Sequence, residues 1–209
     1  MIVTAVAGAT TVTVGGTEVA PNSAGVYDIS RVGSTIDVIC PEGATVSVST
    51  ASGSITTRGR LGHVRVMTWS GRVDLDHVNE LDARSASGRV TLSECAQMCR
   101  IVTRSGRVDV ERSSEAEIST VSGSIEVGLL AVRCVARTVT GKVRVAASSV
   151  ARLAVHTVSG TVAVTLPSAC VGTLHLRSIS GRIAGKLPTG DGVEVQVDTI
   201  SGSIEVVAG

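Results

Sequence analysis

The chain has 209 residues, of which 43% are hydrophobic and only 1% are aromatic, and its formal net charge is +1. This hydrophobic content suffices for one continuous core, and the near absence of large rings favours a narrow interior filled by Val, Ile, Leu and Ala. The balanced charge gives no electrostatic reason to expect nucleic acid or an anionic membrane as the main partner. No apolar run reaches the ~20 residues of a transmembrane helix.

The N-terminal segment, residues 1–45, carries a weak form of the pattern that fills the rest of the chain. Gly16 and Gly33 lie 17 residues apart, so we expect either a cap or one or two degenerate repeats here. The first residues, MIVTAVAGATTVTV, lack a basic stretch, and no signal peptide is expected. We therefore expect a cytoplasmic protein, and a position at the periphery of the envelope is compatible with this expectation.

Residues 46–209 repeat one short motif nine times, as a single continuous domain. Each copy has Thr or Ser, a variable residue, a second hydroxyl residue, glycine, and Val or Ile two residues later. Successive glycines are 17 to 21 residues apart, and such a period is typical of a repeat architecture. The motif glycines are Gly53, Gly71, Gly88, Gly106, Gly123, Gly141, Gly160, Gly181 and Gly202.

Positions counted from each glycine show the alternation of β-strands. Positions −7, −5, +2 and +4 are apolar in every repeat except at Thr57 and Gly185, and the positions between them are mostly polar. This period of two is the strand pattern, and two strands leave no room for a helix in one repeat. Because one repeat cannot bury its own apolar side chains, the repeats must stack. The sequence therefore predicts an all-β parallel β-solenoid (β-helix) of about nine 17–21-residue rungs, each lying on its predecessor.

The alternation of inward and outward side chains is interrupted at the motif glycine. By parity, position −1 faces inward, and so does position +2, only three residues later. A chain that does this must turn a corner, and glycine permits the backbone angles that a corner needs. The nine motif glycines are accordingly predicted to be corner residues.

Two hydroxyl columns lie beside this corner. Positions −3 and −1 are Thr or Ser in all nine repeats. Both are predicted to face inward, where hydroxyls can hydrogen-bond along the stack and to turn amides. The remote alternative is an outward-facing Thr-x-Ser ladder of the kind that orders ice.

Position −2 is the first candidate functional surface. Parity places it outside, yet its last five members are β-branched apolar residues, and a contiguous exposed strip indicates an interface for lateral pairing or partner docking. The alternative is that the corner tucks this column into the core. The candidate interface residues are Trp69, Val121, Val139, Val158, Ile179 and Ile200.

A column of charge at position +1 is the second candidate. Arg72, Arg89 and Arg107 follow successive glycines, and carboxylates such as Asp74 and Asp109 stand nearby in the sequence. A solvated, self-neutralising face is the preferred interpretation. A weak anion or polysaccharide groove is the alternative.

Catalysis is not expected, because no constellation of catalytic residues appears. The four His residues fall in different columns without metal-ligand spacing, and no nucleophile elbow, phosphate loop or zinc helix is present. The five Cys residues are predicted to be reduced packing residues. No catalytic residue, metal or cofactor is therefore assigned.

The recurring T-x-S-G-x-[VI] units, such as TRSGRV at 103–108 and TVSGTV at 157–162, resemble the bacterial adhesin-type β-strand-repeat family, domain of unknown function 4097. The likeness runs from about Gly33 to the C-terminus. The resemblance implies a bacterial β-solenoid, often linked with envelope-associated genes, with no settled biochemical activity. The architecture is also similar, more loosely, to that of the bactofilins, cytoplasmic β-solenoids that polymerise end to end.

These features predict a non-catalytic structural protein that self-associates head to tail. The ninth motif is followed by only a few residues, so its rung is expected to be the open end of the stack, and position −2 would aid lateral assembly. The rival prediction is a monomeric, adhesin-like binding module that presents one face of the rod to a protein or a glycan.

Overall fold

A computed structural model describes residues 2–6, 11–14, 17–19, 27–30, 36–39, 42–148, 151–168, 170–190 and 192–208, with side chains from residue 42 onward. Gly16, Gly33 and Cys40 lie outside the described residues. The regular elements of the described part are all β-strands. They are β1 Ile2–Val6, β2 Thr11–Val14, β3 Thr17–Val19, β4 Tyr27–Ser30, β5 Ile36–Ile39, β6 Thr45–Ser52, β7 Ile55–Thr56, β8 Arg60–Ala147, β9 Arg152–Leu166, β10 Gly172–Ser180, β11 Ile183–Gly185 and β12 Val193–Ala208.

The strands from β6 onward form a parallel β-solenoid. β6 pairs in parallel with β8, where Val46 lies opposite Val64, and β8 pairs in parallel with β9, where Cys134 lies opposite Leu153. β8 runs for 88 residues through five motif glycines, so it contributes several levels of the stack. Each repeat makes one level, called here a rung and named by its glycine. The predicted fold class is confirmed.

The last two rungs do not follow chain order. β12 pairs in parallel with β9 on one side and with β10 on the other, so the Gly202 rung lies between the Gly160 rung and the Gly181 rung. The prediction that each rung lies on its predecessor is wrong at this end. The terminal rung consists of β10 and β11, the eighth repeat, and the prediction of an open ninth rung is therefore also wrong.

The lengths of the last repeats account for this exchange. The chain must pass over one level to reach the terminal rung and then return to the level between, which requires longer connections than a single step. Gly160, Gly181 and Gly202 are separated by steps of 21 residues, against 17 to 19 for the earlier steps. The ninth repeat also has Val206 at position +4, where the eighth has Gly185, so the repeat with more apolar surface lies between two neighbours.

The described strands before residue 42 pair antiparallel. β1 lies along β6, with Val3 opposite Val48, and β4 pairs with the other edge of β1. β2, β3 and β5 form a separate three-stranded sheet. These described strands are thus antiparallel, unlike the parallel rungs that follow, and the cap or degenerate rungs expected for residues 1–45 stay a prediction.

The core is a set of aliphatic columns inside the coil. Positions −7, −5, +2 and +4 are buried in the rungs from Gly53 to Gly160 and again in the Gly202 rung, apart from the half-buried Thr57. In the terminal rung, by contrast, Leu174 and Leu176 are only half-buried. This difference is the one expected between internal levels and the end level of a stack.

The motif glycines are required because neighbouring rungs approach closely. A Cβ atom built on Gly106 would overlap the carbonyl oxygen of Gly88, and the same overlap recurs along the stack. At Gly202 the overlapping oxygen belongs to Gly160, and at Gly181 it belongs to Gly202, which repeats the exchanged order. The predicted reason for these glycines, the backbone angles of a corner, is therefore secondary to the lack of space for a side chain.

Gly106→Ala should lower the free energy of unfolding by about 3 kcal/mol, because the added methyl group forces two rungs apart. Gly53→Ala is the matched control, since its Cβ atom would meet only Thr50 Oγ1, at 3.5 Å, and we expect a loss below about 1 kcal/mol. Urea unfolding followed by circular dichroism measures both. Equal losses at the two positions would contradict the close approach.

The rung order can be tested with pairs of introduced cysteines on the exposed position −1. S159C with S201C, and S180C with S201C, should form disulfides on mild oxidation, because both pairs are in register on neighbouring strands, ~4.8 Å apart. S159C with S180C should not, because two levels separate these residues by ~9.6 Å. Peptide mapping by mass spectrometry identifies the bonds. A disulfide in S159C/S180C but not in S159C/S201C would show that the rungs follow chain order.

Candidate functional site

The glycine corner is a convex bend of four residues. Position −3 is buried, positions −2 and +1 face solvent in almost every rung, and position +2 is buried again. Position −1 is also exposed, as at Ser70, Ser122 and Thr140, so the prediction that it faces inward is wrong. Strand alternation stops at position −3 and resumes at +2, and parity cannot be carried through the bend between them.

The hydroxyls at position −3 fill the inside of the bend. In the eight rungs other than the terminal one they are 3–8% exposed, which confirms that this column faces inward. Thr138 Oγ1 donates a hydrogen bond to the carbonyl oxygen of Thr140 at 3.3 Å. The hydroxyls of seven other rungs have no hydrogen-bond partner among the described residues, so the expected ladder of hydrogen bonds does not form within that part of the chain. Because this column is buried, the ice-ordering alternative loses its geometric basis.

The apolar residues at position −2 are exposed, with 43% to 83% of each side chain accessible from Val121 onward. The alternative that this column belongs to the core is therefore wrong. The exchange of rungs places Ile200 next to Val158 and leaves Ile179 at the end. Five adjacent levels consequently present a β-branched side chain, in the order Val121, Val139, Val158, Ile200 and Ile179.

A shallow groove runs beside this strip, between positions −4 and −2. Its two stretches have volumes of about 630 Å³ and 390 Å³ and share Val102, Thr103 and Val121 in their walls. Position −4 contributes exposed apolar side chains, Met67 at 48% and Val102 at 43%, which the sequence analysis missed. The sequence pattern could have identified these residues, because positions −4 and −2 are two residues apart on one strand and therefore point to the same face.

Carboxylates bind the arginines of neighbouring rungs on the outer surface. Glu117 Oε2 accepts hydrogen bonds from Arg100 Nε and Nη2, at 3.1 Å and 2.8 Å, and Glu117 Oε1 accepts one from Arg137 Nη1 at 3.3 Å. The hydrogen bond from Arg100, with the charges of both arginines, lowers the pKa of Glu117 despite partial burial. This part of the face is neutralised by specific pairing.

Asp109 lies beside two arginines of the position +1 column but binds them less closely. Its carboxylate oxygens are 3.9 Å from Arg89 Nε and 4.0 Å from Arg107 Nε. Burial raises the pKa of Asp109, and the two arginines offset this only in part. The long distances explain why these arginines hold their shared carboxylate more weakly than Arg100 holds Glu117.

The corner, with its buried hydroxyl and stacked glycines, recurs in every rung from Gly53 to Gly160. The family model described as Toastrack DUF4097 matches residues 11–165, which is well over half of the chain. The chain belongs to the Toastrack DUF4097 family. The matched range includes the rungs from Gly53 to Gly160 and ends before the two exchanged rungs of this Toastrack chain. Comparison with curated proteins and with solved structures gave no match.

The described part of the Toastrack chain offers little that would support catalysis or metal binding. Its described residues include no group of three or more His, Cys, Asp or Glu side chains placed to hold a metal ion. The comparisons indicate no catalytic family. Within the described ranges, no helix is long and apolar enough to cross a membrane.

Two of the buried cysteines of the Toastrack solenoid, Cys99 and Cys134, are held as thiols. A hydrogen bond with Cys95 and nearly complete burial raise the pKa of Cys99 well above its ordinary value. Burial raises the pKa of Cys134 to about 12. Because the thiolate is the reactive form, these two residues are inert packing groups.

Glu117→Gln should destabilise the protein by about 0.5–1 kcal/mol near pH 7, whereas Asp109→Asn should not destabilise it, because the neutral amide removes the cost of ionising a half-buried carboxyl group. A lowered pKa means that the stabilisation from Glu117 is complete above its ordinary pKa of 4.5 and is lost as the pH falls through the folded-state value. The raised pKa of Asp109 acts in the opposite direction, because its ionisation costs stability as the pH rises.

Thermal unfolding of both variants at pH values between about 3 and 7 measures these opposite contributions. The difference between wild type and Glu117→Gln should shrink toward the acid end of this range. A larger loss for Asp109→Asn than for Glu117→Gln at neutral pH would contradict the assignment.

Proposed function

We propose that this Toastrack chain is a non-catalytic structural protein that self-associates through the open edge of its terminal rung. The observation that carries the proposal is the position of β10. One edge of this nine-residue strand pairs with β12, and its other edge has no partner strand among the described residues. An open edge of this length is a template for another strand, and natural proteins usually block such edges.

The side chains of the terminal rung support an assembly at this edge. Leu174 and Leu176 point toward the core but are only half-buried, and Leu187 from the return segment packs against the same core. A second strand placed along β10 would cover the two half-buried leucines. Strand pairing and apolar burial would then act together.

The two ends of the stack favour a two-fold dimer over a head-to-tail polymer. At the N-terminal end β1 already covers β6, and the outermost described strand of this sheet is β4, with only four residues. A head-to-tail contact would pair β10 with this short strand. A two-fold contact would pair β10 with β10 of a second copy in antiparallel fashion over up to nine residues, which forms more hydrogen bonds and closes the assembly.

A rival proposal, a monomeric module that presents one face to a protein or a glycan, draws support from the groove between positions −4 and −2. That groove is shallow, and its walls contain one indole ring, that of Trp69, and no Phe or Tyr ring. Sugar recognition usually involves stacking on aromatic rings, so the groove gives less support to a glycan partner than β10 gives to a second copy.

Leu176→Lys should shift the protein from dimer to monomer, because residue 176 points inward, and pairing of two β10 strands would bury the lysine charge. His175→Lys is the matched control: it places the same charge on the outward face of the same strand and should leave the dimer intact. Sedimentation velocity over a concentration series measures the assembly, and circular dichroism confirms that both variants fold.

Hydrogen exchange of the wild-type protein provides a second measurement that needs no substitution. Amides of residues 173–180 should gain protection as the concentration rises, whereas those of β12 should be protected throughout, since β12 is paired on both edges. A wild-type protein that stays monomeric at tens of micromolar, with unchanged exchange in β10, would overturn the proposal.

A further inference from the structure

Charge is segregated at the glycine corner, although the chain as a whole is nearly neutral. Positions −4, −2 and +1 of the nine rungs, here called the corner ridge, hold nine of the 19 Lys and Arg residues but only one, Asp198, of the 18 Asp and Glu residues. All nine cations are exposed. They are Arg72, Arg84, Arg89, Arg104, Arg107, Arg137, Lys142, Arg177 and Arg182.

Most of this positive charge is available to a partner. Four of the nine cations lie 3.3 to 4.0 Å from carboxylates beside the ridge, and one of these four, Arg137, is hydrogen-bonded to Glu117. The other five have no ion pair with any residue in the described ranges. These five are Arg72, Arg104, Lys142, Arg177 and Arg182.

The same ridge exposes its apolar side chains in a line. The β-branched strip at position −2 occupies five adjacent levels, and Met67, Trp69 and Val102 extend the apolar surface toward the N-terminal end. Rungs are spaced by ~4.8 Å, so the nine levels give a ridge ~38 Å long. Because the position −2 residues of these five levels are 43% to 83% exposed, their side chains can enter a flat partner.

We propose that the corner ridge binds the surface of a bilayer rich in anionic lipids, with the solenoid lying along the membrane. The position −2 side chains enter the boundary between headgroups and acyl chains, as the apolar face of an interfacial helix does. The arginines and the lysine on both sides pair with lipid phosphates, since an anionic leaflet attracts each basic residue near it. Trp69, on the same ridge three levels from Val121, has the ring type that prefers this boundary.

Other occupants fit the ridge less well. A second copy of the chain placed on this ridge would bring two rows of cations together, and like charges across an interface are unfavourable. Nucleic acid would match the cations but would leave the strip of valines and isoleucines in water, and the ridge has only two aromatic side chains, Trp69 and His156, on which a base could stack. A lipid surface satisfies both the charge and the apolar strip.

Trp69 is the single tryptophan of the chain, so its fluorescence reports directly on the ridge. Vesicles of phosphatidylcholine with about one third phosphatidylglycerol should shift its emission to the blue and co-sediment the protein, whereas vesicles of phosphatidylcholine alone should do neither. Lipids brominated on the acyl chains should quench Trp69 in the anionic vesicles. Added salt should release the protein.

Two matched triple variants test the location of the site. R72Q/R104Q/K142Q removes three unpaired cations from the ridge and should weaken vesicle affinity by roughly tenfold or more. R60Q/R133Q/R144Q removes the same charge from exposed positions off the ridge and should change the affinity by less than about threefold. V139S/V158S should weaken binding while both side chains remain on the surface, so folding is preserved.

Three results would overturn the proposal. These are the absence of binding to anionic vesicles, an equal loss in the two triple variants, and binding without quenching by brominated lipid. Tighter binding to double-stranded DNA than to anionic vesicles would instead assign the ridge to nucleic acid. Leu176→Lys should bind vesicles as the wild type does at protein concentrations where both are monomeric, which separates this proposal from self-association.

Discussion

Neighbouring rungs meet most closely at the motif glycine, where the carbonyl oxygen of one glycine faces the α-carbon of the next. A side chain at this point would push the rungs apart and break the hydrogen bonds of the strands on both sides of the corner. Because the contact recurs at every level, all other positions are held in register at ~4.8 Å intervals. The aliphatic core, the buried hydroxyls and the outer charges all depend on this contact.

Stacking also makes the two ends of the solenoid physically different. At the N-terminal end, β1 lies antiparallel along β6 and covers it. At the other end, the chain passes over one level and returns, so that its last repeat is internal and its eighth repeat is terminal. The half-buried Leu174 and Leu176 result from this exchange. A surface that would be core elsewhere in the stack becomes available for a second copy of the chain.

In a repeat protein, residues at the same position of successive repeats form a line along the axis. Valine or isoleucine at position −2 of five adjacent rungs becomes a strip, and basic residues at positions −4 and +1 become two flanking rows. The formal net charge of +1 hides this segregation, because the carboxylates lie on other columns. The resulting ridge combines apolar and basic groups as peripheral membrane proteins do, whereas the open edge of β10 offers backbone groups suited to strand pairing.

The sequence by itself determined the parallel solenoid and the facing of positions −7, −5, −3, +2 and +4, because alternation within a strand is a local property of the backbone. It also contained the exposed strip at position −2 and, in the two 21-residue steps, a sign that the last connections differ. Only the tertiary structure decided the order of the last rungs, since that order depends on which repeat buries more apolar surface when it has a neighbour on each side. It likewise decided that position −1, as at Ser122, faces outward, because parity does not survive a bend whose shape is set by contact between glycines of adjacent rungs.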